Sequence, residues 1–144
     1  MPFRHGKDAY LRLEGSATGS FVFTADLTSI SDSWTRDNPQ TTTMGKLMHT
    51  RIAGLQDYSV TVAYIWNSDT TTASAVAQFI DVEMAASSHT CMVYCPGGSI
   101  SGCPMYTACM LVSQHDKTAP VDGVIAGTFT LQNAVASVIA GCVP

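Results

Sequence analysis

The amino-acid sequence predicts a mainly β protein with a single α-helix, on three observations. Hydropathy alternates with period two through most of the chain, most regularly in YSVTVAYIW at residues 58–66. A helical period is confined to one stretch, SDTTTASAVAQFIDVEMAASS, residues 68–88. The composition is 46% hydrophobic but only 12% charged, with Thr, Ser, Ala and Val abundant, which suits strands whose outer faces are half-apolar. With 144 residues, the chain fits one domain, 1–144, with a sizeable core and no room for a second.

Taken in order, AYLRLEG and GSFVFTAD alternate around Leu11, Leu13, Phe21 and Phe23, and the Gly-Ser-Thr stretch between them predicts a hairpin loop. LTSISDSWTR supplies Leu27, Ile30 and Trp34 less regularly, as a third strand. RDNPQTTTMGKL contains Asn38-Pro39 and Gly45 and no apolar period, so a long loop or flexible arm is expected over about residues 36–50. The next strand puts Tyr58, Val60, Val62, Tyr64 and Trp66 on a buried face and Ser59, Thr61, Ala63 and Ile65 on the other. In the helical stretch Val76, Phe79, Ile80 and Met84 form the apolar face, with Glu83 the polar exception and Thr72 or Ser74 as cap. HTCMVYCP and CPMYTACMLVSQ then read as a hairpin around PGGSISG. GVIAGTFTLQNA reads as a last long strand with Ile125, Phe129 and Leu131 on one face, and the apolar tail VASVIAGCVP docks as an edge strand or arm.

Charge excludes several classes of function. A net charge of −4 and a pI near 5.3 give no basic footprint for phosphates. Apolar runs are short, and the N-terminal MPFRHGKDAY has no apolar signal region, so synthesis in a cytoplasm is expected, with no membrane span. Surfaces of small soluble domains usually carry about 25–35% charged residues. The scarcity here predicts a surface covered by partners, hence a homo-oligomer.

No catalytic constellation emerges, and neither an enzyme nor a cofactor is expected. His5, His49, His89 and His115 are dispersed, none in metal-ligand spacing, and read as surface or strand-end residues. Asp8, Asp26, Asp32, Asp37, Asp57 and Asp81 fall mostly at predicted turns or strand ends. PGG at 96–98 is followed by neither Lys-Ser/Thr nor a helix, so it is a turn and not a phosphate loop. Cys91, Cys95, Cys103 and Cys109 lack the paired spacing of a zinc knuckle. They read first as small apolar core or interface residues. Cys95 and Cys103, flanking the hairpin loop, form the conceivable disulfide once the protein leaves a reducing cell, and Cys142 makes the count odd.

The order of strand SISDSW, polar loop TTTMGK, then RIAGLQDYSVTVAYIW resembles the major tail tube proteins of long-tailed phages, where a TTxxG loop leads into PGLxDxSV and a central strand. Thr42, Thr43 and Gly45 match the first element; Gly54, Leu55, Asp57, Ser59 and Val60 match the second, with Ala53 in place of the usual proline. Tyr106, Ala108 and Ser113, then APVDGV and GTFTLQN, continue the resemblance in the same order, across residues 8–133.

That resemblance implies a β-barrel or sandwich of about seven to nine strands flanked by one helix. It also implies hexameric rings that stack in a virion with other virion proteins around a lumen through which phage DNA passes. An acidic subunit agrees, because a conduit must repel phosphate. The loop residues Thr41, Thr42, Thr43, Met44, Gly45 and Lys46 would reach the neighbouring ring, the Thr tract adding backbone hydrogen bonds to a sheet edge. Gly54 and Asp57 would fix the turn, and Ser59 and Thr61 lie on the sheet face available to neighbours. Arg4, Lys7, Arg36, Lys46 and Arg51 are expected away from the lumen. Two other readings stand beside this one. The same barrel suits a capsid decoration protein that cements the head shell, and a small β-sandwich binding module would need an exposed aromatic platform from Trp34 or Trp66.

Overall fold

The computed structural model describes residues 7, 9–15, 19–22, 27–66, 76–86, 89–98, 100–134 and 139–142. Within them the elements run β1 (Tyr10–Gly15), β2 (Gly19–Val22), β3 (Leu27–Arg36), β4 (Gln56–Ile65), α1 (Val76–Ala86), β5 (Thr90–Cys95), β6 (Pro104–Thr118), β7 (Ala126–Asn133) and β8 (Ile139–Cys142). All pairings are antiparallel, and the strands lie in the order β2-β1-β5-β6-β7-β4-β3, with β8 on β6. β8 continues the line of β7 along the β6 edge opposite β5, so the apolar tail docks as an edge strand.

Period-two patterning decides which face is interior. Leu11 and Leu13 of β1, Tyr58, Val60, Val62 and Tyr64 of β4, Met92 and Tyr94 of β5, Ala108 and Met110 of β6, and Phe129 and Leu131 of β7 form one buried cluster with Val76, Ala77, Phe79 and Ile80 of α1. Burying a side chain of this size stabilises by about 1.5–3 kcal/mol. Strands from both ends of the sheet meet there. Asp32 of β3 also lies near enough to Tyr94 of β5 to help burial raise that phenol's pKa. The sheet therefore curls around the helix. It does not close into a barrel: β2 and β3 are its two edges and do not pair.

Several expectations are corrected. Of the long loop or flexible arm expected over residues 36–50, the structure shows an arm whose legs pair, running 37–55, and Arg36 still belongs to β3. On α1 it is Glu83 that is buried and Met84 that is exposed: Glu83 shares a face with Val76, Phe79 and Ile80, while Met84, on the side of Ala77 and Ile80 but in the last turn, lies where the helix runs past its cover. Ile125 precedes β7 and is exposed, so the buried face of that strand begins at Phe129. The disulfide joins Cys91 and Cys109, leaving Cys95 and Cys103 as free thiols. Register explains it: Cys91 stands directly opposite Cys109 in the β5–β6 ladder, whereas Cys95 and Cys103 lie beyond its last pair, Tyr94 and Tyr106. Thr72, Ser74, Arg4, His5 and Asp8 lie outside the described residues. No described helix is long and apolar enough to cross a membrane.

Candidate assembly surface

β3 and β4 are the two halves of one long hairpin whose connection, residues 37–55, stands away from the core. The legs of this arm are held by backbone bonds, each an N–H donating to a carbonyl oxygen across the arm: Asp37 to Leu55 at 2.9 Å, Gly54 to Asp37 at 2.6 Å, Ile52 to Pro39 at 3.1 Å and Thr41 to Thr50 at 2.7 Å. Side chains add rungs. Gln40 Nε2 meets His49 Nδ1 at 2.9 Å, the Thr41 and Thr50 hydroxyls lie 3.2 Å apart, and the Thr50 N–H donates to Thr42 Oγ1 at 2.9 Å. The threonine tract thus zips the arm to itself. At the tip the Lys46 N–H donates to the Thr43 carbonyl, and Gly45 has φ +89°, a conformation that L side chains rarely adopt.

The root of the arm depends on a missing side chain. A Cβ on Gly54 would sit 2.5 Å from the Asp37 carbonyl oxygen, so only glycine lets the two legs converge. Asp37, Asn38, Pro39, Gly54 and Leu55 line an open groove of about 550 Å³ at this point.

The arm's apolar residues have nothing to pack on within the subunit. Met44 and Leu47 are fully exposed, Met48 is 80% exposed, and Leu55 and Ile52 are also exposed. Large apolar groups gathered at one projecting tip mark an interaction surface.

A second surface is the outer face of the sheet. The register places Ser29, Ser31, Ser33 and Thr35 of β3 beside Asp57, Ser59, Thr61 and Ala63 of β4. β7 continues the rows with Thr128, Thr130 and Gln132, and β6 with Gln114 and Asp116. This face is mostly hydroxyl and amide with two carboxylates, Asp57 and Asp116, and it also carries Ala63 and the exposed apolar Ile65 and Leu111. No Lys or Arg of these four strands shares it: Arg36 alternates to the other side and its Nε donates to Asn38, while Lys117 reaches Asp81 on the helix. Arg12 does face outward, but on β1, on the far half of the sheet.

Between helix and sheet sits a polar cluster. The His115 side chain is 3% exposed; its Nδ1 lies 2.8 Å from Asp81 Oδ1, its Nε2 meets the Tyr64 hydroxyl, and Lys117 Nζ donates to Asp81 Oδ2 at 2.9 Å. Burial, then the Asp81 carboxylate, pushes the Tyr64 phenol up to about 12. Burial alone would raise Asp81, but the bonds from Lys117 and His115 outweigh it and hold the carboxyl below its usual range. Tyr58 similarly donates to Asp32 Oδ2 at 3.1 Å, and burial followed by Asp32 raises its pKa. The Tyr64–His115–Asp81–Lys117 chain ties α1 to β4 and β6, with His115 enclosed and the Asp81–Lys117 end open to solvent, while the Tyr58–Asp32 bond joins β4 to β3. Among the described residues no group of His, Cys, Asp and Glu is arranged to hold a metal.

Thr41, Thr42, Thr43, Met44, Gly45 and Lys46 thus lie together on the distal arm, and Gly54 at its root. Asp57, Ser59 and Thr61 lie on the outer sheet face, so the residues singled out in the sequence divide between two surfaces. The His115 cluster was missed; Asp81, within the stretch expected to be helical, does lie on α1. Alternation along β6 from Ala108, Met110 and Val112 puts His115 outside. A bulge between Val112 and Gln114 inserts one residue and turns His115 inward.

No protein-family model matches this chain, and a search of curated proteins finds no match. Solved structures do match over nearly its whole length. A chain in the tail of an empty gene transfer agent particle, refined with C6 symmetry, is 11% identical with a TM-score of 0.72, covering 99% of this chain and 100% of that one. A chain of the SPP1 tail tube is 10% identical with a TM-score of 0.77, covering 97% and 80%. A chain of the anti-feeding prophage baseplate, 6-fold symmetrised, is 12% identical with a TM-score of 0.71, covering 99% and 97%. The fold is tail-tube-like.

Proposed function

We propose that this chain is a virion structural protein, the tail tube subunit, which forms hexameric rings that stack into a DNA conduit. The observation that carries the reading is the arm: Met44, Leu47 and Met48 are held in a self-paired hairpin that contributes nothing to the subunit's own core. Such a device is expected of a chain whose apolar surface is completed by neighbours. The likeness to chains of the gene transfer agent tail and the SPP1 tail tube supports it, as does the sixfold symmetry of the former. Neither structure supports the capsid-decoration reading.

Within the assembly, the hydroxyl and carboxylate face of β3, β4, β7 and β6 lines the lumen. It lacks fixed cations that would hold passing phosphates. In this reading Asp57, Ser59 and Thr61 line the lumen, in place of the neighbour contact expected for Ser59 and Thr61 from the sequence, and Thr41 to Lys46 make the contact. The role is structural rather than catalytic and takes place in the virion, after assembly in the host cytoplasm.

The test replaces residues 39–52 with a two-residue turn and follows the protein by circular dichroism and size exclusion. The expected variant is folded and monomeric where the full chain polymerises. A shortened chain that still assembled as the full one does would remove the arm from assembly.

A further inference from the structure

The arm is not the only exposed apolar projection. The β6–β7 turn, Ala119–Ile125, carries Val121 at 106% exposure and Val124 at 67%, with Ile125 also exposed. Register fixes its place relative to the arm. Gln56, at the arm end of β4, lies beyond the Ser59–Gln132 pair, while Ile65 at the other end pairs Ala126, the first residue after the turn. Arm and turn therefore stand at opposite ends of the same strands and cannot meet within one subunit. The legs, residues 37–43 and 49–55, extend more than about 20 Å past the sheet at roughly 3.3 Å per residue.

Their charges are complementary. From Pro39 to Ile52 the arm holds Lys46 and Arg51 and no carboxylate. The turn holds Asp122 and no cation, and Asp116 lies beside it on the outer face. Among the described residues the cation nearest to the turn in the chain, Lys117, is engaged by Asp81.

We infer that the arm tip of one copy docks on the β6–β7 turn of another, with Met44, Leu47 and Met48 against Val121 and Val124 and with Lys46 or Arg51 beside Asp122. The partner is a second copy of this chain, and the inference rests on the tube reading above. A contact between opposite ends is heterologous, and because arm and turn lie at the two ends of the same strands each copy is carried along that direction onto the next, so the contact propagates as a stack. Arm against arm would instead pair Lys46 and Arg51 with their own copies, a like-charge arrangement that opposes association. Methionine at the tip suits the contact, since its flexible thioether packs on irregular apolar surfaces.

Charge reversal and its repair test the pairing. Lys46→Glu with Arg51→Glu, and separately Asp122→Lys, are compared with the full chain by negative-stain microscopy and sedimentation, with circular dichroism as the folding control. Each variant is expected to fold and to shorten the stacks about tenfold or more, because each puts like charges together. The combination of all three changes is expected to restore length. Stacks unaffected by Asp122→Lys, or a combination no longer than its parents, would overturn the docking on this turn. If the chain with residues 39–52 replaced nevertheless fails to assemble, the arm keeps its role and only its receptor is wrong. If that chain stacks normally, the tube reading of the arm fails with it.

Discussion

The β3–β4 hairpin is built twice over from the same antiparallel pairing, and its two halves do opposite things with apolar side chains. In the sheet half, Tyr58, Val60, Val62 and Tyr64 are at most 1% exposed. In the arm half, beyond Gln56, Ile52, Met48, Leu47 and Met44 lie in the open. Backbone pairing runs through both, as a full ladder in the sheet half and as separate N–H···O bonds around the Gln40–Arg51 bridge in the arm. What differs is that the sheet half has α1 and the opposing strands to cover it, while the arm has no second layer. Pairing supplies shape, and burial against another element supplies most of the stability. The same hairpin therefore contains a core and an exposed apolar surface.

The sharpest way to break this comparison is to place one charge in each half. Val62→Asp leaves an unpaired carboxylate in the core and is expected to destabilise by more than about 4 kcal/mol, enough to prevent folding. Leu47→Asp is expected to change stability by less than about 0.5 kcal/mol while lowering assembly. Denaturant titration and size exclusion separate the two. Similar losses of stability would mean that the arm packs on its own subunit.

His115→Ala removes the bridge between Asp81 and Tyr64 and opens a cavity under α1. A loss of about 1–3 kcal/mol is expected by denaturant titration, because the buried Tyr64 hydroxyl loses its partner and the partly exposed Asp81 loses one of its two bonds. Gly54→Ala should cost about 1–3 kcal/mol through the clash with the Asp37 carbonyl, with the damage confined to the arm root in hydrogen exchange.

Asp81 gives a smaller effect with a definite sign. Its folded pKa is depressed by Lys117 and His115, so its contribution is present above the ordinary carboxylate value of about 3.9 and is lost as pH falls through the lower folded value. Its side chain is 43% exposed, so solvent screening keeps the effect below about 1 kcal/mol. Asp81→Asn should flatten the acid limb of the stability profile. Tyr64 acts on the other limb. With its folded pKa at about 12, its contribution is present below the unfolded value of about 10 and is lost as pH rises through the folded value.

Much of the sheet was legible in the residues. Wherever two-residue alternation ran unbroken, as from Tyr58 to Tyr64, the buried set read from the pattern is the observed one. Failures came where the period was interrupted or where nothing local reports the answer. The β6 bulge inverted the phase at His115. Helix phase at Glu83 and Met84 depended on where α1 rests on the sheet. The Cys91–Cys109 pairing depended on hairpin register, which cysteine spacing alone does not give. The arm lacked apolar periodicity because its rungs are Thr, Gln and His side chains, so its pairing was invisible while its length was plain.

The central claim is that the outer face of β4 becomes the wall of a channel. End-on class averages from electron microscopy of assembled full-length protein test it most directly, extended to a helical map that locates Thr61. The expected result is a sixfold ring with an open centre, Ser59, Thr61, Thr128 and Thr130 facing that centre, and Lys46 and Arg51 between rings. A compact trimer without a lumen, or a tube with Thr61 buried between subunits, would contradict the account.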